Sequence, residues 1–188
     1  MKRTIILCTA FAMLSTAASK AAISAAPYRL TKPAVSVTCS LTAGAGFEAH
    51  TNELRGELTV ADSGEVTGAV DVTLATLSTG IGLRDRHMRD TYLEVGRGDG
   101  FATARLEHIQ LARHDGPTTF SGILTLHGQQ HPIAGTADLQ WQRDGRVRVQ
   151  ARFPISIGTF GIAPPRYLGM GVQDQADVSV TVWADPVH

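Results

Sequence analysis

The chain has 188 residues, with 17 basic and 17 acidic side chains and no net charge, a size that suits a single domain. Lys2, Arg3 and Lys20 fall in the first 24 residues, which hold no acid; removing them from the 17 leaves 14 basic groups against 17 acidic, a net −3 for residues 25–188. That balance argues against a nucleic-acid partner and against a broad attraction to anionic membrane.

Lys2 and Arg3 form a positive start, Ile5 to Ala17 an apolar run too short to span a bilayer, and small residues follow. This order predicts a secretory signal over residues 1–24, cleaved after Ala21 or Ser24, and hence a periplasmic or secreted domain over 25–188. Cys8 comes too early to be an acylated lipoprotein cysteine. No second apolar stretch is long enough to cross a membrane, so no transmembrane segment is expected. Cleavage leaves Cys39 alone, without a disulfide partner, in the strand-like run Ser36–Leu41, where a small buried side chain is expected.

Pro27 and Pro33 bracket an extended lead-in, and Ala34–Leu41 alternates as a first strand. Gly44-Ala45-Gly46 interrupts it. Leu54–Val60 is a second extended run with apolar residues at 54, 58 and 60, and Asp62-Ser63-Gly64 has turn chemistry. In 66–74, Val66, Gly68, Val70, Val72 and Leu74 share a face against Thr67, Ala69, Asp71 and Thr73. The same period of two returns in Phe120–His127, Ile133–Gln142, Val147–Phe153 and Asp177–Val182, with short turns at His114–Pro117, Gly128–Gln130 and Arg143–Gly145.

Strands with one apolar face and short connections predict an antiparallel sheet covered on one side. With almost no helix to cover it, a second sheet or closure into a barrel must do so, and periodicity does not separate the two. Small inward residues (Gly68, Gly122, Gly135, Ala137, Ala151) favour a hollow interior, since a solid core would need more bulk there.

Between the strands, Thr76–Val95 changes character. Gly80 and Gly82 break the extended chain, and Leu83, His87, Met88 and Leu93 predict a short helical segment near residues 84–95, charged on its other sides and too short to stand alone. Leu77-Ser78-Thr79-Gly80 with Arg84-Asp85-Arg86-His87-Met88-Arg89 resembles the signature SIxTGxxxRDxHLRS of the YceI-like proteins. Phe120–Gly128 resembles that family's xxGxLTxxG hairpin. Residues 155–162, ISIGTFGI, resemble its INRSDFGI motif, with Ile157 and Thr159 in place of Arg and Asp. Tyr92, Leu93 and Glu94 stand where the family has paired Phe and Asp, and Gly98–Phe101 replaces a P-x-x-x-F strand opening. The resemblance runs from Tyr28 to Ala184. It implies an all-β, antiparallel lipocalin-like β-barrel, exported, that holds a polyisoprenoid or related long-chain lipid.

His127 and His131, four apart, have the spacing of a helical metal pair, but Gly128 and Pro132 place them on a hairpin turn, so the rings diverge and surface histidines are expected. Ser78, Asp85 and His87 supply triad letters without a nucleophile elbow, and Asp85 and His87 two apart point to different sides of a helix. Capping, or an ion pair with Arg84 or Arg89, is the expected role of Asp85. No enzyme activity, metal or cofactor is therefore expected. Residues 158–171 carry Phe160, Ile162, Tyr167, Leu168 and Met170 in a Gly/Pro-rich segment, which reads either as a self-packed loop or as a lid.

The resulting expectation is a carrier for an isoprenoid, isoprenoid quinone or fatty-acid derivative. The tail would lie against Leu74, Leu77, Met88, Phe120, Leu124, Leu126 and Phe153, with Phe160 in the lid. The polar end would sit near Arg84, His87 and Arg89. A lipid hydrolase or isomerase on the same barrel, and a ligand-free stress-response protein with a solid core, are the alternatives. A homodimer is left open.

Overall fold

The alternating segments form one antiparallel sheet that closes on itself. The computed structural model describes residues 25–187 apart from 62, 64, 168 and 169, so the expected signal segment and two residues of the Asp62–Gly64 turn lie outside it. The strands are β1 (Ala25–Leu41), β2 (Gly46–Thr51), β3 (Leu54–Ala61), β4 (Glu65–Thr73), β5 (Thr103–Ala112), β6 (Gly116–Leu126), β7 (Gln129–Trp141), β8 (Val147–Ser156), β9 (Arg166–Tyr167) and β10 (Met170–Pro186). Each of β3 to β8 bonds to its neighbour in sequence, β8 bonds to β10, and β10 returns to β1. The result is a closed eight-stranded barrel, with β2 and β9 as short additions at one rim. Closure removes the open edges that a one-sided sheet would expose.

The lead-in and the first strand are one element. The first part of β1 pairs with β3 (Ala25↔Ala61 to Arg29↔Glu57) and the second with β2 (Val35↔Thr51 to Ser40↔Gly46), while β10 lines its other side. Between Thr31 and Ala34 the β1–β10 register slips, and Lys32 takes φ 48°. Pro33 therefore sits in a bulge, where the ladder does not need its missing N–H, and the strand bends instead of ending.

A bulge also shapes β5. His108 has φ 51° and the register to β6 shifts between Glu107 and Gln110. Leu106, Ile109 and Leu111 all reach the interior, although 106 and 109 have opposite parity.

The helical expectation holds with more pieces. The β4–β5 connection runs through a 3-10 turn (Leu74–Thr76), α1 (Gly82–His87), a π turn (Met88–Tyr92), a second 3-10 turn (Val95–Arg97) and α2 (Asp99–Ala102). This strap crosses the barrel end where the β1–β2, β6–β7 and β8–β9 connections also lie. The opposite end is plugged. Tyr28 meets Trp141 edge-on at 6.2 Å, and Leu139 and Ala184 are fully buried there.

The strand glycines do not open the interior, contrary to the sequence argument; Ala137 and Ala151 on the wall do. At Gly135 a Cβ would lie 2.3 Å from the Arg152 carbonyl oxygen, 2.7 Å from Phe153 Cβ and 2.8 Å from the Phe120 ring. The missing side chain lets Phe120 and Phe153 meet edge-on at 5.8 Å. Gly135→Ala should therefore destabilise the barrel by about 1–3 kcal/mol, as overpacking does, read as a lower denaturant midpoint at unchanged m-value.

Candidate functional site

Because the base is plugged and the wall residues point inward without meeting, the barrel encloses a cavity of about 820 Å³. Leu58, Val66, Leu111 and Val149 form its floor, above Tyr28, Leu139 and Trp141. Leu74, Leu77, Phe120, Leu124, Leu126 and Phe153 form part of the wall, and Met88, Tyr92 and Leu93 of the strap roof it. Among its described lining residues, charge appears only at the rim, where Arg84, His87 and Arg166 stand beside Phe47, Ile81 and Leu83. A volume of this size, with an apolar wall and a few polar groups at one end, has the form of a small-molecule site.

Two expected residues lie elsewhere. Arg89 does not line the cavity; its Nη1 donates to the Ala75 carbonyl at 3.0 Å and ties the π turn to the strap's start. Phe160 is 2% exposed and packs edge-on against His131 at 5.1 Å, outside the wall. Its neighbours Ile157 and Ile162 face the cavity, as do Pro165, Arg166, Gly171 and Val172, and these described residues form one lip of the opening. The side chains of Tyr167, Leu168 and Met170 lie outside the described residues.

Asp85 organises the strap. It is 6% exposed and accepts hydrogen bonds from Ser78 Oγ (2.6 Å), Thr79 N (2.7 Å) and Thr79 Oγ1 (2.5 Å). Those bonds, Ser78 foremost, hold its carboxyl down to about 2, well below the usual 3.8, because they favour the ionised form. The expected ion pair with Arg84 or Arg89 does not form: Arg84 Nε instead donates to Thr79 Oγ1 at 2.8 Å, and its guanidinium lies over Phe47 at 4.6 Å. Ser78 and Thr79 are fixed in turn by the backbone bridge of Ser78 to His50 on β2. The signature therefore builds a hinge-like clamp: Ser78-Thr79 on one side, Asp85 on the other, and Arg84 carried to the rim. No hydrogen bond links His87 to Ser78 or Asp85 among the described residues, so the three triad letters are not assembled.

His127 is the residue that sequence reasoning missed. Its side chain is 11% exposed, not on the surface. Nδ1 lies 3.1 Å from the Phe160 carbonyl and Nε2 2.9 Å from Glu94 Oε2, while the ring meets Phe101 edge-on at 4.6 Å. Both ring nitrogens thus face acceptor oxygens. Arg97 also donates to Glu94 at 3.0 Å and, with His127, holds that carboxyl below the usual range. The latch fastens the strap to the β6–β7 turn and to the 157–160 turn. Both partners are 33 residues away, so no local spacing signals it. No cluster of three metal-binding side chains exists among the described residues.

Cys39 lies on the cavity wall, and burial pushes its thiol pKa up. A maleimide should modify it slowly, and more slowly still when the cavity is filled, so alkylation followed by mass spectrometry reports occupancy.

A family model described as YceI-like domain matches residues 28–184. Among solved structures, a polyisoprenoid-binding domain from Saccharophagus degradans superposes with TM-score 0.66 at 16% identity, covering 85% of this chain and 98% of its own. BcnA of Burkholderia cenocepacia gives TM-score 0.66 at 10% identity over 81% and 96%. A Campylobacter jejuni YCEI protein gives 0.55 at 14% over 77% and 86%. No curated protein matches the chain.

Proposed function

The chain belongs to the YceI-like family, and from that premise we propose that it is an exported carrier that binds or sequesters the hydrocarbon tail of a long-chain amphiphile. The observation that carries this reading is the cavity of about 820 Å³, apolar from floor to roof and charged only at its rim. Such a space favours a long apolar chain through desolvation, at about 0.8 kcal/mol for each buried methylene. The polyisoprenoid-binding description of the Saccharophagus degradans neighbour supports the same class of ligand. No described helix is long and apolar enough to cross a membrane, which is compatible with a carrier. N-terminal sequencing of the protein from its host should begin near Ala22 or Ala25, with Met1 absent.

Native mass spectrometry of protein purified from its host tests the reading. A co-purifying hydrophobic mass is expected; a bare chain that also takes up no added isoprenoid alcohol or fatty acid would refute it. Arg84 is the rim group placed to meet a polar end. Arg84→Ala should weaken an anionic lipid more than its neutral alcohol of equal length, with the gap shrinking as salt rises. Equal loss for both would assign Arg84 to holding Thr79 alone.

A further inference from the structure

We infer that the open rim of the barrel is a docking surface for a bilayer carrying anionic headgroups. This rests on the reading that the cavity takes lipid, since a tail that desolvates so favourably must be collected from a membrane and not from water. Large apolar side chains exposed among the described residues are Ile81 (54%), Leu83 (64%) and Val187 (46%). A single exposed apolar residue is ordinary. Ile81 and Leu83, however, also line the cavity, so they form an unbroken apolar path from the outer surface into the interior.

The charge around that path is the second observation. Residues 25–188 carry net −3, yet Arg84 and Arg166 stand at this rim. Arg86 is exposed and lies one turn after Leu83 on α1, hence on the same helical side. No salt bridge involves any of the three among the described residues, whose ion pairs lie elsewhere. Asp85 is buried and committed to Ser78 and Thr79, and Glu94 to Arg97 and His127, which leaves Asp90 as the exposed carboxylate of the 82–94 stretch. Two apolar side chains that insert, ringed by arginines that meet headgroup phosphates, match the chemistry of a bilayer surface. A soluble protein partner has no comparable cue here.

Flotation with vesicles tests this. The wild-type chain should bind vesicles of equimolar phosphatidylcholine and phosphatidylglycerol, should bind pure phosphatidylcholine far less, and should release as salt is raised. Arg86→Glu should lower binding to the anionic vesicles about tenfold or more, as reversal of one interfacial charge does. Leu83→Ser should lower it at every salt concentration. No binding by the wild type, or full binding by both variants, overturns the proposal. So does light scattering that shows a dimer which Leu83→Ser dissolves, because the rim would then face a second copy. Uptake of a fluorescent fatty acid from solution is the separate arm: Arg86→Glu should retain it. Uptake without vesicle binding sinks docking alone; vesicle binding without uptake sinks the carrier reading alone.

Discussion

Ala151→Trp and Ala137→Trp should each abolish most lipid uptake while leaving the barrel folded. The two alanines are cross-strand partners on β7 and β8, and both line the cavity. An indole at either position projects into the lumen instead of into packed neighbours. The usual penalty for overpacking, about 1–3 kcal/mol, should therefore be largely absent. The binding loss is of a different order. A ring that displaces roughly four methylenes of a bound tail removes about 3 kcal/mol of transfer energy, on the order of a hundredfold in Kd. Thr136→Trp is the control, since Thr136 is exposed on the same strand and faces away. Titration with a fluorescent fatty acid, beside thermal unfolding, separates the outcomes. Unfolding by both alanine variants, with wild-type affinity retained by neither, would mean that the lumen collapses in solution and is a packed core.

How far the sequence reaches follows from what each segment had to satisfy. In β4, β6 and β8 alternate side chains meet the interior, so hydrophobicity alone traces the wall, and Leu74, Phe120, Leu124, Leu126 and Phe153 all lie on it. Where a bulge intervenes the signal breaks. The register shift in β5 changes the parity between Leu106 and Ile109, and the slip at Lys32 hides the continuity of β1 behind two prolines. Closure into a barrel was legible through the family motif and not through the glycines, which serve close approach: Gly135 makes room for two phenylalanines, not for a ligand.

The rim was read less well, for a physical reason. Its side chains are placed by hydrogen bonds between segments far apart in the chain, and such bonds leave no period. Arg84 and Arg89 look equivalent in sequence, yet Thr79 and Phe47 hold one at the cavity while the Ala75 carbonyl holds the other away. His127 looked like a turn residue and is instead a tether between Glu94 and Phe160. Asp85 was expected to cap or to pair with arginine; the structure gives it the Ser78-Thr79 side of a clamp, in which the arginine is reached only through Thr79.

That clamp gives the strap a defined acid sensitivity, which is the second large effect expected. With its carboxyl lowered from 3.8 to about 2, Asp85 binds a proton more readily in the unfolded strap than in the folded one. Its contribution to strap stability is therefore full above the ordinary value and is lost as the pH falls through about 2. Asp85→Asn removes the charge at every pH and replaces one acceptor by a donor that faces Ser78 or Thr79, both of which need acceptors. At neutral pH the variant should release a bound fatty acid several-fold faster, and the amides of residues 76–92 should exchange faster than those of the barrel strands. The gap between variant and wild type should stay constant from pH 8 to about 5 and close between about 4 and 2, because the wild-type carboxyl is then protonated too. Glu94, also held below the usual range, contributes an acid-labile part that both proteins share and that cancels in the comparison. The measurement is hydrogen exchange and ligand release for both proteins at matched pH. A gap that persists unchanged at pH 2, or that never opens at neutral pH, would show that the Asp85 charge does not hold the strap.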